Sequence, residues 1–250
     1  MAGLVRGYRR INRTPGLAAW AEAALGPAQE ALAASDQPLR CGGTWAVGLN
    51  LLPNAPGGSV GGVALPWADL GLAPEPLHRA QLSTVFPGYP QPSPEESGSA
   101  FAFRLNRDAA HLDGLLPVGP SRHRMVKEPH GWILGLPLNE TEAEASPLVV
   151  WEGSHEILRA ALKAALAPHP PPLWAEVDLT AAYAAARRTI FDTCRRITLP
   201  ALPGEATLLH RLTLHGVAPW EPEAKAPPEG RIIAYFRPLM ADVAEWLLRP

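Results

Sequence analysis

Ser99-Ala100-Phe101-Ala102-Phe103-Arg104-Leu105-Asn106-Arg107 reads as an alternating, strand-like run, and it leads into Ala110-His111-Leu112-Asp113-Gly114. A His and an Asp two residues apart at a strand end can turn both side chains toward one point. Far downstream, Ala206-Thr207-Leu208-Leu209-His210-Arg211-Leu212-Thr213-Leu214-His215-Gly216 reads as a second strand that ends in a His. Two imidazoles and one carboxylate, with the third ligand about a hundred residues from the first pair, have the order of a 2-His-1-carboxylate facial triad. That ligand set leaves coordination positions open on a redox metal, typically Fe(II).

Other strands fall around this pair. Thr44–Leu52 has strand character and is followed by a Gly/Pro-rich loop over 53–62. His130–Leu138 and Pro147–Trp151 are apolar runs, the second stopped by Glu152-Gly153-Ser154-His155. Arg196–Leu199 resumes the pattern, Pro203-Gly204-Glu205 turns into the second His strand, and Gly230–Phe236 is the last strong strand. Helical spacing marks Pro15 to about residue 35, with Gly26-Pro27 expected to interrupt it and a second piece running from Ala28 to Ala34. Glu156–Leu166, Leu179–Cys194 and Met240–Leu248 are further helices. Prolines break up 63–97, where a short helix near Pro76–Gln81 is expected, and 117–129 reads as a polar connection.

Composition narrows the class. The 250 residues fit one domain, and a hydrophobic content of 47% supports a sizeable core. A net charge of −2 without long like-charge runs gives no footprint for nucleic acid. Cys41 and Cys194 have no metal or redox spacing, Met1–Arg10 is basic without a following apolar stretch, and no apolar run reaches membrane-spanning length. A reduced, cytoplasmic protein without membrane or nucleic-acid partners is the expectation. The 29 prolines and 22 glycines are scattered, which suits a loop-rich β-fold.

Taken in order, His111-Leu112-Asp113, Trp132 in a strand, Pro147 to Gly153-Ser154-His155, Pro203-Gly204-Glu205, His215-Gly216 and Gly230-Arg231 resemble the phytanoyl-CoA dioxygenase family of Fe(II)/2-oxoglutarate-dependent oxygenases. The resemblance covers roughly residues 99–238. It implies a mainly β fold with helical additions around a double-stranded β-helix (jelly-roll, cupin-like) core. One domain over 1–250 would then comprise N-terminal helices, a first strand and loops over 1–98, the core over 99–238 with a helical insertion near 156–194, and a C-terminal helix over 239–250. It implies that His111, Asp113 and His215 hold Fe(II), and that Arg231 pairs with the distal carboxylate of 2-oxoglutarate. A guanidinium suits that task because its planar fork grips a carboxylate and stays charged. Trp132 would lie beside the co-substrate. The implied activity is hydroxylation of a small molecule by O2 with decarboxylation of 2-oxoglutarate to succinate. Related halogenases replace the carboxylate with a small residue, and Asp113 keeps it.

Two positions depart from the family. Arg231 lies sixteen residues after His215, farther than usual, with Glu221–Glu229 as an inserted loop. Val217 stands where a Ser or Thr often helps bind the co-substrate. The basic stretch Arg122, His123, Arg124, Lys127 and His130 is first a solvated loop; facing the cavity, it would favour an anionic substrate. Arg104 and Arg107 either line the barrel or salt-bridge outside it. His155 braces the turn after a strand, and 53–97 and 117–130 are the segments expected to cover the site. The rival readings are a cupin-like Zn(II) or Mn(II) protein using the same three ligands, and a binding protein that kept the fold. The direction of Arg231 separates the first from the oxygenase; the intact triad argues against the second, which an anion or sugar-like ligand bound without metal dependence would revive.

Overall fold

A computed structural model describes residues 4–48, 50–94 and 96–249. The chain runs through β1 (Tyr8–Ile11), α1 (Pro15–Ala33), β2 (Trp45–Gly48), α2 (Trp67–Leu70), β3 (Gln81–Val85) and α3 (Gly98–Asn106). It continues through β4 (Leu115–Val118), β5 (His123–Val126), β6 (Trp132–Pro137), β7 (Leu148–Trp151) and α4 (Ser154–Leu166). A 3-10 turn (Pro171–Glu176) and α5 (Thr180–Thr193) follow. Last come β8 (Arg196–Leu199), β9 (Ala206–His210), β10 (His215–Val217), β11 (Arg231–Phe236) and α6 (Val243–Leu248).

Two antiparallel sheets make the centre. The larger has the order β1-β9-β6-β11-β3-β2 and the smaller β10-β7-β8. They pack face to face through Ile133 and Leu209 of one against Leu148, Val150 and Leu199 of the other. The outer face of the large sheet is sealed by α1, whose Leu17, Trp20, Ala21 and Ala24 meet Leu134, Leu136, Ile232, Ala234 and Phe236. The outer face of the small sheet is sealed by α4, α5 and α6 around Val149 and Trp151. Each fully buried Leu, Ile or Phe contributes roughly 1.5–3 kcal/mol, so both outer layers hold their sheet firmly. Among the described residues, no helix is long and apolar enough to cross a membrane.

Period-two alternation decides which side chains reach the space between the sheets. On β11, Ile232, Ala234 and Phe236 face α1. Arg231, Ile233 and Tyr235 therefore face the small sheet, and Arg237 continues that row beyond the strand end.

Several expectations change. Ser99–Arg107 is not a strand but α3: Ser97 Oγ accepts from the Ala100 N–H at 3.2 Å, and the run of Ala, Leu and Arg that follows favours helix once capped. Arg104 there pairs with Glu96 at 2.5 Å, and Arg107 stacks over Phe191, so neither lines the inter-sheet space. The sheet strands accordingly begin well before residue 99, because β1, β2 and β3 supply half of the large sheet. No helix forms at Pro76–Gln81; β3 starts there instead, inserted between β2 and β11. Within the expected strand Thr44–Leu52, Leu49 lies outside the described residues, as do Met1–Gly3 of the basic opening and Pro250. Pro27 does not interrupt α1; Ala24 and Ala28 on either side are fully buried, and that packing offsets the roughly 3 kcal/mol cost of an interior proline. The connection over 117–129 contains the β4–β5 hairpin, and α6 starts at Val243, capped by Asp242.

The largest change concerns the second His strand. Ala206–Gly216 is two strands in two sheets: β9 belongs to the large sheet and β10 to the small one. The chain crosses between them at Arg211–Leu214. Arg211, 1% exposed, anchors the crossover by donating to the carbonyls of Trp246 and Arg249. His210 sits at the start of the crossover, where both ring nitrogens face N–H donors: Leu212 N at 3.0 Å and Arg159 Nη2 at 2.8 Å. Burial, then the charges of Arg211, His155 and Arg159, push its pKa down to about 2.

A pH dependence of stability follows. The folded state keeps His210 neutral while the unfolded chain protonates it below about 6.5, so its contribution is complete above that value and falls as the pH drops. At pH 5 the loss from this one group is about 2 kcal/mol. Urea unfolding of wild type and His210→Gln at pH 7.5 and 5.0 measures it: the variant should lose that much less stability on acidification. Equal slopes would show that His210 is not the group responsible.

Candidate metal centre

His111 and His215 are brought together by backbone pairing. His111 N donates to His215 O at 2.8 Å and His215 N to His111 O at 3.1 Å, an isolated bridge that extends the small sheet beyond β10. The chain entering His111 turns sharply through Asp108 and Ala109, both at positive φ (53° and 52°). Such non-glycine conformations cost free energy and need support. Arg196 of β8 supplies it with a two-pronged grip on the Asp108 carboxylate, 2.7 Å to each oxygen. Gly216 supplies the space: a Cβ there would stand 2.1 Å from the Asp108 carbonyl oxygen, which accepts from Val217 N at 2.9 Å.

The two imidazoles are oriented alike. Nδ1 of His111 lies 3.0 Å from Ala109 O, and Nδ1 of His215 lies 2.9 Å from Thr213 O. With Nδ1–H donating to those carbonyls, each Nε2 lone pair is free. Both point at Asp113 Oδ1, 3.3 Å from His111 Nε2 and 3.7 Å from His215 Nε2. The three possible ligand atoms lie within 4.8 Å of one another. Behind His215, Thr213 Oγ1 donates to Gly7 O at 2.6 Å, and Ser154 Oγ accepts from Leu214 N at 2.9 Å. Ser154 of the Gly153-Ser154-His155 turn thus braces the strand that carries the second histidine.

Electrostatics prepares the same atoms. The Asp113 side chain is 12% exposed; its burial would favour the neutral acid, but at the acid pH where it titrates both histidines are protonated, and the hydrogen bond His111 then donates, with the charges of His215, His111 and Arg237, outweighs burial and holds the carboxyl well below the usual range. Burial, then the neighbouring His111, depresses His215 to about 4, so it is neutral with its lone pair available at pH 7. For His111, burial opposes the charged form, but half of its side chain is exposed, and the Asp113 contact raises its pKa. An ionised carboxylate and a neutral His215 are the state a divalent cation requires, and its binding would displace the proton that Asp113 favours on His111.

A cavity of about 60 Å³ adjoins the three residues, walled by Trp45, Ser83, Ile133, Leu148, Tyr235 and Arg237 among others. Leu148 and Tyr235 are also walls of a second, larger cavity of about 310 Å³ between the sheets, which contains Arg231. Tyr235 thus stands between Arg231 and the His-Asp-His cluster. Its ring lies over Gly135 of β6, where a Cβ would stand 2.8 Å from the ring. Arg231 is 6% exposed, and its Nε and Nη2 have no hydrogen-bond partner among the described residues. Burial lowers its pKa, with the adjacent Tyr235 hydroxyl opposing.

Trp132 is elsewhere. On β6 it shares the α1-facing side with Leu134 and Leu136, stacks edge-on against Trp67 and donates to Glu75 at 2.9 Å. The same alternation points Ile133, Gly135 and Pro137 to the cavities, so the co-substrate contact expected of Trp132 is corrected. The basic stretch is also elsewhere. His123 pairs with Asp178, Lys127 with Glu176, and the buried His130 with Glu128 and the Arg237 carbonyl. None of these lines either cavity. Of the expected covers, 53–97 contributes Gln81 and Ser83 on β3 to the cavity wall, and 117–130 contributes nothing. Val217 does line the smaller cavity. Tyr235 and Arg237 were missed in the sequence; the alternation Arg231, Ile233, Tyr235, Arg237 was the signal that places them in one row.

No family model matches the chain, and no curated protein matches it. Among solved structures the chain is similar to SnoK, a non-heme alpha-ketoglutarate-dependent carbocyclase from nogalamycin biosynthesis, with a TM-score of 0.49 and 13% identity over 96% of this chain and 85% of that one. It is similar to SnoN, the epimerase of the same biosynthesis, with a TM-score of 0.46 and 14% identity over 93% and 77%. For EctD from S. alaskensis, with 2-oxoglutarate and 5-hydroxyectoine, the TM-score is 0.41 and the identity 14% over 93% and 72%.

Proposed function

We propose that this protein is an Fe(II)/2-oxoglutarate-dependent oxygenase that hydroxylates a small molecule, built on a jelly-roll core formed by the two facing sheets. One observation carries the proposal. A compact His-Asp-His cluster and a buried guanidinium with unpartnered donors line adjoining cavities in one inter-sheet space, with only Tyr235 and Leu148 as shared walls.

The residues fit the cofactors. His111, Asp113 and His215 offer two imidazole nitrogens and one anionic oxygen on one side of a metal, the donor set that suits Fe(II) and leaves other positions open. Unpaired buried N–H groups cost free energy unless an acceptor arrives, and Arg231, a wall of the larger cavity, has two of them; the distal carboxylate of 2-oxoglutarate would satisfy both. Bound there, iron and 2-oxoglutarate would supply the oxidising chemistry, with O2 consumed and succinate and CO2 formed. The protein's own part is to hold the three ligands on a rigid backbone bridge, to fix the co-substrate's far end, and to keep water out with Ile133, Leu148, Val217 and Tyr235.

Anaerobic titration with Fe(II) and 2-oxoglutarate tests the proposal. Chelation should produce a weak visible metal-to-ligand charge-transfer band that neither component gives alone. Metal binding without the band would instead support the cupin-like Zn(II) or Mn(II) protein, and no metal binding would leave the fold without this chemistry.

A further inference from the structure

Arg237 contacts the proposed metal ligand directly. Its Nη1 donates to Asp113 Oδ2 at 3.2 Å, while Oδ1 of the same carboxylate faces the two histidine Nε2 atoms. The two oxygens of Asp113 are therefore differently engaged before any metal is bound. Accepting the metal and co-substrate sites proposed above, we infer that Arg237 is a positioning residue that restricts Asp113 to one-oxygen ligation, and so preserves the metal positions that 2-oxoglutarate and O2 require.

The chemistry makes the restriction matter. Carboxylates bind cations through one oxygen or both. With two imidazoles and one carboxylate oxygen, a six-coordinate metal retains three positions: two for a chelating 2-oxo acid and one for O2. Engaging Oδ2 as well would fill one of these. A guanidinium is suited to prevent that, since it stays charged at all relevant pH and donates along fixed directions.

The structure holds Arg237 in place to do so. Its carbonyl is engaged from two sides, by His130 Nδ1 at 3.0 Å and His78 Nε2 at 2.9 Å, and the residue before it is locked in the β11–β6 ladder opposite Leu134. The side chains of Arg237 and Asp113 are 15% and 12% exposed, which leaves water little access to compete for Oδ2. The contact is thus built from a pinned backbone and a shielded pair rather than from two flexible surface chains.

Co(II) binding to the whole protein is the test, because its d–d absorption reports coordination number before any co-substrate is added. Arg237→Met keeps the apolar stem and removes the fork; Arg237→Lys keeps the charge and one donor direction. Supporting contacts to metal ligands are worth roughly 10- to 100-fold in function or affinity. The expected result is a changed Co(II) spectrum in R237M without 2-oxoglutarate, together with 2-oxoglutarate affinity of the Co(II)-loaded protein weakened about tenfold or more. R237K should recover part of both, and urea unfolding should be close to wild type. An R237M spectrum and 2-oxoglutarate affinity equal to wild type would overturn the inference. So would an unchanged spectrum with weaker 2-oxoglutarate binding, which would make Arg237 a direct contact for the co-substrate. If R237M fails to fold, R237K alone decides: a wild-type spectrum and affinity there sinks the idea, and an altered spectrum supports it. Wild type that binds neither Co(II) nor 2-oxoglutarate would overturn the underlying site assignment instead, a separable failure.

Discussion

Asp113→Ala should abolish Fe(II) binding in the micromolar range and with it the charge-transfer band. The carboxylate supplies the single negative charge among the three ligand side chains, and it is held ionised by His111, His215 and Arg237. Deleting it leaves two imidazoles and a guanidinium around an incoming dication. An outer-shell contact to a metal ligand is worth roughly 10- to 100-fold in affinity, so deleting the anionic ligand itself should lower metal affinity on the order of 1,000-fold, about 4 kcal/mol. Asp113→Asn separates charge from shape: the amide oxygen can still accept from Arg237, so it should restore the fold around Arg237 but not the metal affinity. Isothermal titration or competition with a chromophoric chelator under anaerobic conditions gives the numbers. Metal bound to Asp113→Ala with wild-type affinity would place the site elsewhere. The fold should survive, because Asp113 lies in a loop beyond α3 and the bridge between His111 and His215 is made by backbone atoms.

The order of these ligands was legible from sequence, and the structure shows why the geometry around them was not. His111-Leu112-Asp113 was read at the end of a strand, but the preceding residues form α3, and His111 reaches its position through two positive-φ residues clamped by Arg196 from nearly ninety residues away. A local period cannot reveal a clamp made at that distance. The Ser97 cap is a local signal that the alternation of Phe101 and Phe103 hides. The converse happened at Ala206–Gly216. There the apolar run is continuous in sequence, yet it passes from one sheet to the other because Arg211 and Thr213 turn the chain, each satisfied by partners far along it.

The interior strands were the easy part. β6 and β7 are buried on both faces and apolar throughout, and β11 departs from that only at Arg231 and the half-buried Tyr235, so all three stand out at once. That same property hides which face each residue takes. Trp132 was assigned to the cavity because the strand was recognised but its phase was not; one residue of register moves a side chain from the helix side to the inter-sheet side. On β11 the phase could have been set from Arg231 alone, since a buried guanidinium will not face the apolar layer under α1. Following that row leads to Tyr235 and Arg237. The short edge strand β1 and the central β3 were missed for different reasons: β1 carries two arginines, and β3 lies among prolines whose breaks belong to its flanks.

Arg231→Met should leave metal binding near wild type and weaken 2-oxoglutarate on the order of 100-fold. Arg231 stands at the other end of the row from Arg237, and the larger cavity it lines contains none of the three metal ligands, so its removal does not disturb the His-Asp-His cluster. What it removes is a buried fork with two unpartnered donors. Hydrogen bonds to a charged acceptor contribute about 1.5–3 kcal/mol each; two of them, reduced by the cost of stripping water from the carboxylate, leave about 3 kcal/mol, which is the stated factor. Arg231→Lys should recover a part only, because an ammonium offers the charge without the planar pair of donors. The variant has a second expected consequence. Burying a guanidinium with two unpartnered donors is costly without a ligand, so Arg231→Met should unfold at equal or higher urea concentration than wild type, the direction opposite to a residue kept for stability. Unfolding of wild type with and without 2-oxoglutarate plus Mn(II) completes the comparison: the ligand should raise the midpoint in wild type and much less in Arg231→Met. A variant that is less stable yet binds 2-oxoglutarate normally would show that Arg231 serves the sheet, and that the co-substrate's far end is held by other groups in the 310 Å³ cavity.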